Sequence, residues 1–150
     1  KELTRAGFTP RAEVIFEKNA SAFQVPAFSG NLNYFPEGLA KGIVFIDGSI
    51  GELCGKHSTG GTIIINGNAS GDFGHTARNT TFYVKGDILK LATHGNCTVY
   101  VGNRILKREN LSEQLKTCTL VEGSKAIAEY NKIRDSFSKT NEAIVALSWE

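Results

Sequence analysis

Glycines recur at a fixed interval in this 150-residue sequence, and that interval constrains the fold more than any other feature. Three series keep the same spacing of nineteen residues: Gly42 and Gly61; Gly48, Gly67 and Gly86; and Gly55 and Gly74. A flexible glycine-rich linker has no reason to keep a period, whereas a structure built from repeated turns does. The spacing therefore predicts a repeat architecture with units of nineteen residues.

A short run of strand-forming residues precedes each closing glycine. In register, four copies read GIVFIDG (42–48), GTIIING (61–67), TTFYVKG (80–86) and NCTVYVG (96–102). Their β-branched and aromatic residues favour strands, and glycine permits the sharp turns between them. The last interval, from Gly86 to Gly102, is sixteen residues, which predicts one turn that has lost three. VPAFSG (25–30) is expected to be a degenerate fifth copy.

One such unit cannot bury its apolar face alone, but stacked units pair their strands in parallel about 4.8 Å apart and share a continuous core. The sequence therefore predicts a mainly β fold, a single-stranded β-helix or solenoid. The two alternating strand phases are expected to hold, respectively, Ile43, Phe45, Ile63, Ile65, Phe82, Val84, Thr98 and Tyr100, and Val44, Ile46, Ile64, Tyr83, Val99 and Val101. Because both phases are largely apolar, another element or a partner should cover the outer face.

The composition changes after Asn103, where charged residues become frequent and a helical pattern begins. Asn110 and Glu113 have the spacing of a capping box, which predicts a short helix near 111–117. An amphipathic helix is expected from about Lys125 to Ser138, with a break at 140–141 before a last turn. Its apolar stripe comprises Ala126, Tyr130, Ile133, Phe137 and Ile144.

These helices are expected either to cap or flank the chain's own coils or to dock onto another subunit. The candidate interface residues are Tyr130, Ile133, Phe137, Ile144 and Trp149. The whole chain is interpreted as a single domain. It begins with a lead-in and degenerate coil (1–38), continues as β-helix coils (39–103) and ends in a helical segment (104–150).

The stretch from Gly51 to Gly102 resembles the glycine-repeat (GXGXG) β-helix at the C-terminal end of the glutamate synthase large subunit. The same family includes one of the subunits of formylmethanofuran dehydrogenase. The resemblance depends on the GG pair at 60–61, the GDFG motif at 71–74 and the strand closed by Gly86. It departs at Thr80, where a second glycine pair would be expected, and at 88–90, where a G-x-x-G turn is replaced. The structural turn glycines are then Gly42, Gly48, Gly55, Gly60, Gly61, Gly67, Gly71, Gly74, Gly86 and Gly102.

The resemblance implies right-handed coils and a non-catalytic scaffold or spacer that holds catalytic domains or subunits together. A free-standing copy would be a subunit or domain of a glutamate-synthase-like oxidoreductase, or of a formyl-transfer-like complex. We therefore expect no catalytic residue and no cofactor in this chain. Its partners would be other protein subunits or a second copy of itself.

Composition narrows the remaining partners and the compartment. The formal net charge of +2 lacks the basic excess that nucleic-acid binding needs, and apolar runs such as Ile43–Ile46 are too short to span a membrane. The odd number of cysteines, at Cys54, Cys97 and Cys118, predicts no disulfide framework and favours the cytoplasm. Each of the three is interpreted as a small buried apolar residue.

The three histidines support a different class of function. His75 and His94 stand nineteen residues apart and His57 eighteen residues before His75, so stacking would place all three on one edge of the solenoid. Stacked imidazoles could share a metal such as zinc, although zinc sites use three or four converging ligands. A small metal-binding solenoid enzyme is therefore one alternative function, and a generic protein-interaction module is another.

Overall fold

The computed structural model describes residues 22–25, 36–139 and 144–146, which form short strands and a long helix. The strands in these ranges are β1 (Ala22–Val25), β2 (Ile43–Ile46), β3 (Thr62–Ile65), β4 (Thr81–Val84), β5 (Ile88–Lys90), β6 (Thr98–Val101), β7 (Ile105–Lys107), β8 (Thr119–Glu122) and β9 (Ile144–Ala146). Helix α1 (Leu111–Gln114) lies between β7 and β8, and helix α2 (Ser124–Lys139) follows β8.

Successive coils stack so that their strands pair in parallel. The larger sheet has the order β8-β6-β4-β3-β2-β1-β9, and a smaller sheet pairs β5 with β7. Ile46 lies beside Ile65, nineteen residues further on, and Gly48 lies against Gly67. The predicted mainly β solenoid with coils of about nineteen residues is therefore confirmed.

The coil length changes toward the end of the stack. Thr81 pairs with Thr98 after seventeen residues, and Thr98 pairs with Thr119 after twenty-one. The short coil has thus lost two residues of strand register, not the three predicted from glycine spacing. The prediction was wrong by one residue because Gly102 stands opposite Lys85 and so closes its strand early.

Columns of buried apolar side chains fill the interior of the stack. The predicted strand phases were wrong for the first and last copies, because Ile43 lies beside Thr62 rather than Ile63, and Thr98 lies beside Thr81 rather than Phe82. The inner columns are Val44, Ile63, Phe82 and Val99; Ile46, Ile65, Val84 and Val101; and Ile50, Ala69, Ile88 and Ile105.

Helix α2 covers part of the outer face, and its limits agree with the prediction to within one residue. Tyr130 packs with Phe45 and Ile64 of the sheet, and the Arg134 guanidinium lies 5.2 Å above the centroid of the Phe45 ring. A helix of the same chain therefore provides the cover that the two-faced apolar strands required. Within the described ranges, no helix is long and apolar enough to cross a membrane.

The stack continues beyond Asn103, where the sequence predicted a helical segment. β7 pairs with β5 and β8 pairs with β6, so the parallel ladders reach Glu122. Helix α1 has four residues, and the Asn110 side chain makes no capping hydrogen bond. The predicted capping box and the helix length to Thr117 are therefore wrong.

The two ends of the described chain meet in the larger sheet. β9 pairs with β1, with Ile144 beside Ala22, so Ile144 belongs to a strand and not to the helical stripe. β1 shares only Val25 with the predicted degenerate copy. The rest of that copy, 26–30, and the predicted break at 140–141 lie outside the described residues.

Candidate functional site

Two of the three predicted metal ligands meet on adjacent coils. The ring centroids of His57 and His75 are 6.3 Å apart, with the ring planes tilted by 52°. The His57 N–H donates to the His75 carbonyl oxygen at 2.9 Å. His75 Nδ1 is buried without a hydrogen-bond partner in the described part of the chain. The turn therefore brings two imidazoles together and leaves His75 Nδ1 without a hydrogen bond to the described residues.

His94 does not occupy the position that matches His75, so that part of the prediction was wrong. Arg78 pairs with Gly95 at an interval of seventeen residues, and the His94 N–H donates to the Ala77 carbonyl oxygen at 2.8 Å. The shortened coil has shifted His94 to the level of Ala77. Among the described residues, no three His, Cys, Asp or Glu side chains group closely enough to hold a metal ion. Metal binding at the histidines stays a prediction.

The predicted turn glycines fall into three groups. One group has a left-handed backbone: Gly42, Gly48, Gly55, Gly61 and Gly74. In a second group an added Cβ would press on the neighbouring coil: Gly60, Gly67, Gly86 and Gly102. Gly71 belongs to neither, since the nearest atom to its added Cβ would be Leu89 Cδ2 at 3.9 Å. At nine of the ten predicted positions a side chain would therefore meet either a strained backbone or a close contact.

The turns also hold non-glycine residues in a left-handed backbone, which sequence reasoning missed. Such φ values are uncommon for residues other than glycine, asparagine and aspartate. They occur as pairs on adjacent coils: Leu53 (59°) with Asp72 (51°), His57 (60°) with Thr76 (56°), and Asn79 (56°) with Asn96 (56°). Because each pair repeats at the local coil interval, the shape of the coil imposes the conformation.

Short polar side chains form a ladder along the corner that follows the strands of the larger sheet. Asn66 Nδ2 donates to Asp47 Oδ1 at 2.8 Å. Further along, Asn68 Oδ1 accepts the Asp87 N–H at 2.8 Å, and Asp87 Oδ1 accepts from Asn103 Nδ2 at 2.7 Å. These bonds join each coil to the next and satisfy polar groups at the turns.

The larger sheet ends at β8, which among the described strands pairs only with β6. The Thr119 N–H donates to the Cys97 carbonyl oxygen on the β6 side at 2.9 Å. Alternate residues of a parallel strand bond to the same neighbour, so the backbone groups of Leu120 point to the opposite side. In the part of the chain that the structure describes, this end of the stack is therefore an open sheet edge.

The last coil also carries exposed apolar surface and a bracing ion pair. Leu106 on β7 is 45% exposed and Leu115 after α1 is 40% exposed. Arg108 donates from Nη1 and Nη2 to the Glu122 carboxylate at 2.7 and 3.2 Å, and Glu122 also accepts the Ile105 N–H at 3.0 Å. The Arg108 hydrogen bonds lower the pKa of Glu122 below its usual value. The ion pair therefore ties β7 to β8 at the open end.

A groove of about 140 Å³ lies between α2 and the outer face of the sheet. It is below the roughly 300–1,000 Å³ typical of small-molecule pockets. Beside it Tyr83 stacks on Tyr100, with ring centroids 4.7 Å apart and planes 6° from parallel. The groove is lined by Tyr83, Glu129, Lys132, Ile133 and Ser136.

The predicted interface residues have different fates in the fold. Tyr130 is 1% exposed and packs against the sheet, whereas Ile133 packs into the same cluster but is only partly buried. Ile144 lies in β9. The Phe137 side chain and Trp149 lie outside what the structure describes. Tyr130 is therefore unavailable to a partner, and an interface at the other positions stays a prediction.

Comparisons with protein-family models, with curated proteins and with solved structures found no match.

Proposed function

We propose that this chain is a non-catalytic β-helical scaffold or spacer, similar to the C-terminal domain of the glutamate synthase large subunit. It would hold catalytic domains or subunits in a fixed relation to one another. The observation that carries the proposal is the open end of the stack, where β8 finishes the larger sheet. An unpaired sheet edge offers main-chain donors and acceptors to another polypeptide.

A spacer has to keep its shape under mechanical load, and the contacts between the coils of the stack would make it rigid. Each coil bonds to the next through parallel ladders, through side-chain bonds such as that between Asn66 and Asp47, and through the packed inner columns. Helix α2 lies across the outer face of several coils through Tyr130. These four kinds of contact oppose bending between coils.

The end of the stack also has the surface chemistry of a protein contact. Exposed Leu106 and Leu115 lie on the same last coil as β8. A partner strand that adds to β8 would gain main-chain hydrogen bonds, and apolar side chains on that partner would cover the leucines. The partner is thus another protein subunit, or a second copy of this chain, in a cytoplasmic glutamate-synthase-like or formyl-transfer-like complex. Any redox or transfer chemistry would belong to the partner subunits.

The paired rings of His57 and His75 favour a second candidate function, a small metal-binding solenoid. Two imidazoles are fewer than the three or four ligands that zinc sites use. The histidine pair lacks the further ligands that a zinc site uses, whereas the sheet edge is already present. We therefore place the scaffold function first. Thermal unfolding with and without added zinc distinguishes the two functions.

The scaffold proposal is tested by purifying the tagged full chain from its native cells and measuring the stoichiometry of bound proteins. Mass spectrometry identifies the bound chains, and light scattering gives the mass of the complex. The double variant Leu106→Asp, Leu115→Asp places charge beside the edge without touching the core. Ala128→Asp, at an exposed position of α2, is the matched control.

We expect a stoichiometric partner, or a second copy, on the wild type and on the control. The double variant should bind it at least about tenfold more weakly, because a charge in an apolar contact costs more than about 1.4 kcal/mol. A monomer with no stoichiometric partner would contradict the scaffold function. Equal binding by both variants would show that the contact lies elsewhere.

A further inference from the structure

Two of the three cysteines lie opposite each other on the last two coils. Thr98 pairs with Thr119 in the ladder between β6 and β8, so Cys97 and Cys118, one residue earlier, are direct neighbours. The Thr119 N–H bonds to the Cys97 carbonyl oxygen at 2.9 Å, which continues the ladder to this level. Their twenty-one-residue separation does not match the glycine period, which is why the sequence shows no sign of the pairing.

The two thiols point to the same side of the ladder. Side chains alternate along a strand, and Cys97 stands two residues before buried Val99, while Cys118 stands two before Leu120, which packs on the same core. Cys97 is 1% exposed and Cys118 is 8% exposed. Cys118 Sγ lies 3.4 Å from the His94 carbonyl oxygen, and Cys97 Sγ lies 3.3 Å from the Ala77 carbonyl oxygen.

The spacing between paired strands suits a covalent bridge. Adjacent parallel strands lie about 4.8 Å apart, and disulfides join Cα atoms separated by about 4.4–6.8 Å. We propose that Cys97 and Cys118 are a reversible disulfide site that fastens the last coil to the rest of the stack. In the structure Cys97 and Cys118 are both buried and unbridged.

The oxidant is a low-molecular-weight disulfide, such as oxidised glutathione. Burial raises the pKa of Cys97 to about 11, so its thiol is a poor first nucleophile at neutral pH. Cys118 is the more exposed of the two and attacks first.

The Cys118 thiolate bonds to one sulfur of the small disulfide and releases the other half as a thiol. Cys97 then loses its proton to solvent and attacks Cys118 Sγ, which forms the protein disulfide and releases the second thiol. Two electrons pass from the cysteine pair to the oxidant.

The bridge would close a loop that contains β7 and α1, including the exposed Leu106 and Leu115. Cross-linking a loop of this length restricts the unfolded chain, which should raise the melting temperature by on the order of 10 °C. Reduced glutathione in excess would reverse the change by the same exchange steps.

The experiment equilibrates the purified full chain with oxidised glutathione, then blocks free thiols under denaturing conditions. Peptide mapping without reductant identifies the bridge, and thermal unfolding measures its effect. Cys97→Ala and Cys118→Ala remove one partner each. Cys54→Ala is the matched control, because Cys54 is also fully buried but lies on an earlier coil.

We expect the wild type and Cys54→Ala to yield one peptide that links Cys97 to Cys118, with the higher melting temperature lost on reduction. Either single-partner variant should yield no such link and no rise. Three free thiols after oxidation, a stable glutathione adduct on Cys118, or a bridge that includes Cys54 would each overturn the proposal. The wild-type peptide map alone decides the outcome if a variant fails to fold.

Discussion

Replacing Gly67 by alanine tests the nineteen-residue stacking at a single point. The φ of Gly67 lies outside the left-handed region, so its backbone conformation is open to alanine. The space around Gly67 does not admit an alanine side chain, because an added Cβ would lie 2.7 Å from the carbonyl carbon of Gly48 and 2.7 Å from the backbone nitrogen of Ser49. The neighbouring coil would have to move to admit one methyl group.

The cost follows from overpacking, because the added methyl group would press on the main chain that follows β2. Parallel pairing with β1 and β3 holds β2 in place. Insertion of a methyl group into a well-packed site costs about 1–3 kcal/mol. We expect Gly67→Ala to lower the free energy of unfolding by about 2 kcal/mol. For a domain of this size, that change lowers the melting temperature by roughly 4–8 °C. Urea unfolding and a thermal melt measure the two quantities independently.

Gly71→Ala is the matched control on the same coil. Its added Cβ would meet only Leu89 Cδ2, at the ordinary contact distance of 3.9 Å, and the φ of Gly71 is not left-handed. Alanine should therefore leave stability unchanged or raise it by about 0.4–1 kcal/mol through the unfolded state. Equal stability of the two variants would refute the close approach of Gly67 to the coil before it.

Under the scaffold proposal, added zinc should leave the melting temperature of the wild type unchanged. A rise that His75→Ala abolishes would instead favour the metal-binding alternative. The folded pKa of Glu122 is lowered by Arg108, so the stabilisation it contributes is present above the ordinary value of 4.5 and is lost as pH falls through the folded value. Glu122→Gln should flatten this part of a pH series of urea unfolding, and an unchanged profile would contradict the ion pair. Tyr130→Ala should lower the free energy of unfolding by about 3 kcal/mol, because the ring is 1% exposed against the sheet. Ala128→Asp on the same helix should not, and equal losses would show that α2 does not pack as described.

The solenoid could be predicted because its requirement repeats with the coil. Gly67 and Gly86 each lie where an added Cβ would meet the preceding coil, so the same residue is needed once per coil. The apolar residues of β2, β3 and β4 repeat with the same period. The repeat in the sequence therefore indicated contacts between neighbouring coils in the folded structure.

The candidate sites were harder to predict because they depend on coils that break the period. The interval of seventeen residues between Thr81 and Thr98 moved His94 away from His75. The next interval, of twenty-one residues, set Cys97 beside Cys118, which no regular spacing indicated. An insertion or deletion in a turn is visible in a sequence, but which main-chain groups then pair is not.

The sequence by itself determined that this chain stacks nineteen-residue coils, because strand propensity and the need for glycine at close approaches are local properties that recur with each coil. Only the tertiary structure decided that α2 covers the outer face through Tyr130 and that β8 is the last of the described strands at its edge of the larger sheet. Those outcomes depend on which distant surfaces bury the most apolar area and which ladder bonds remain to be made. These outcomes therefore depend on contacts between coils and not on the sequence of a single coil.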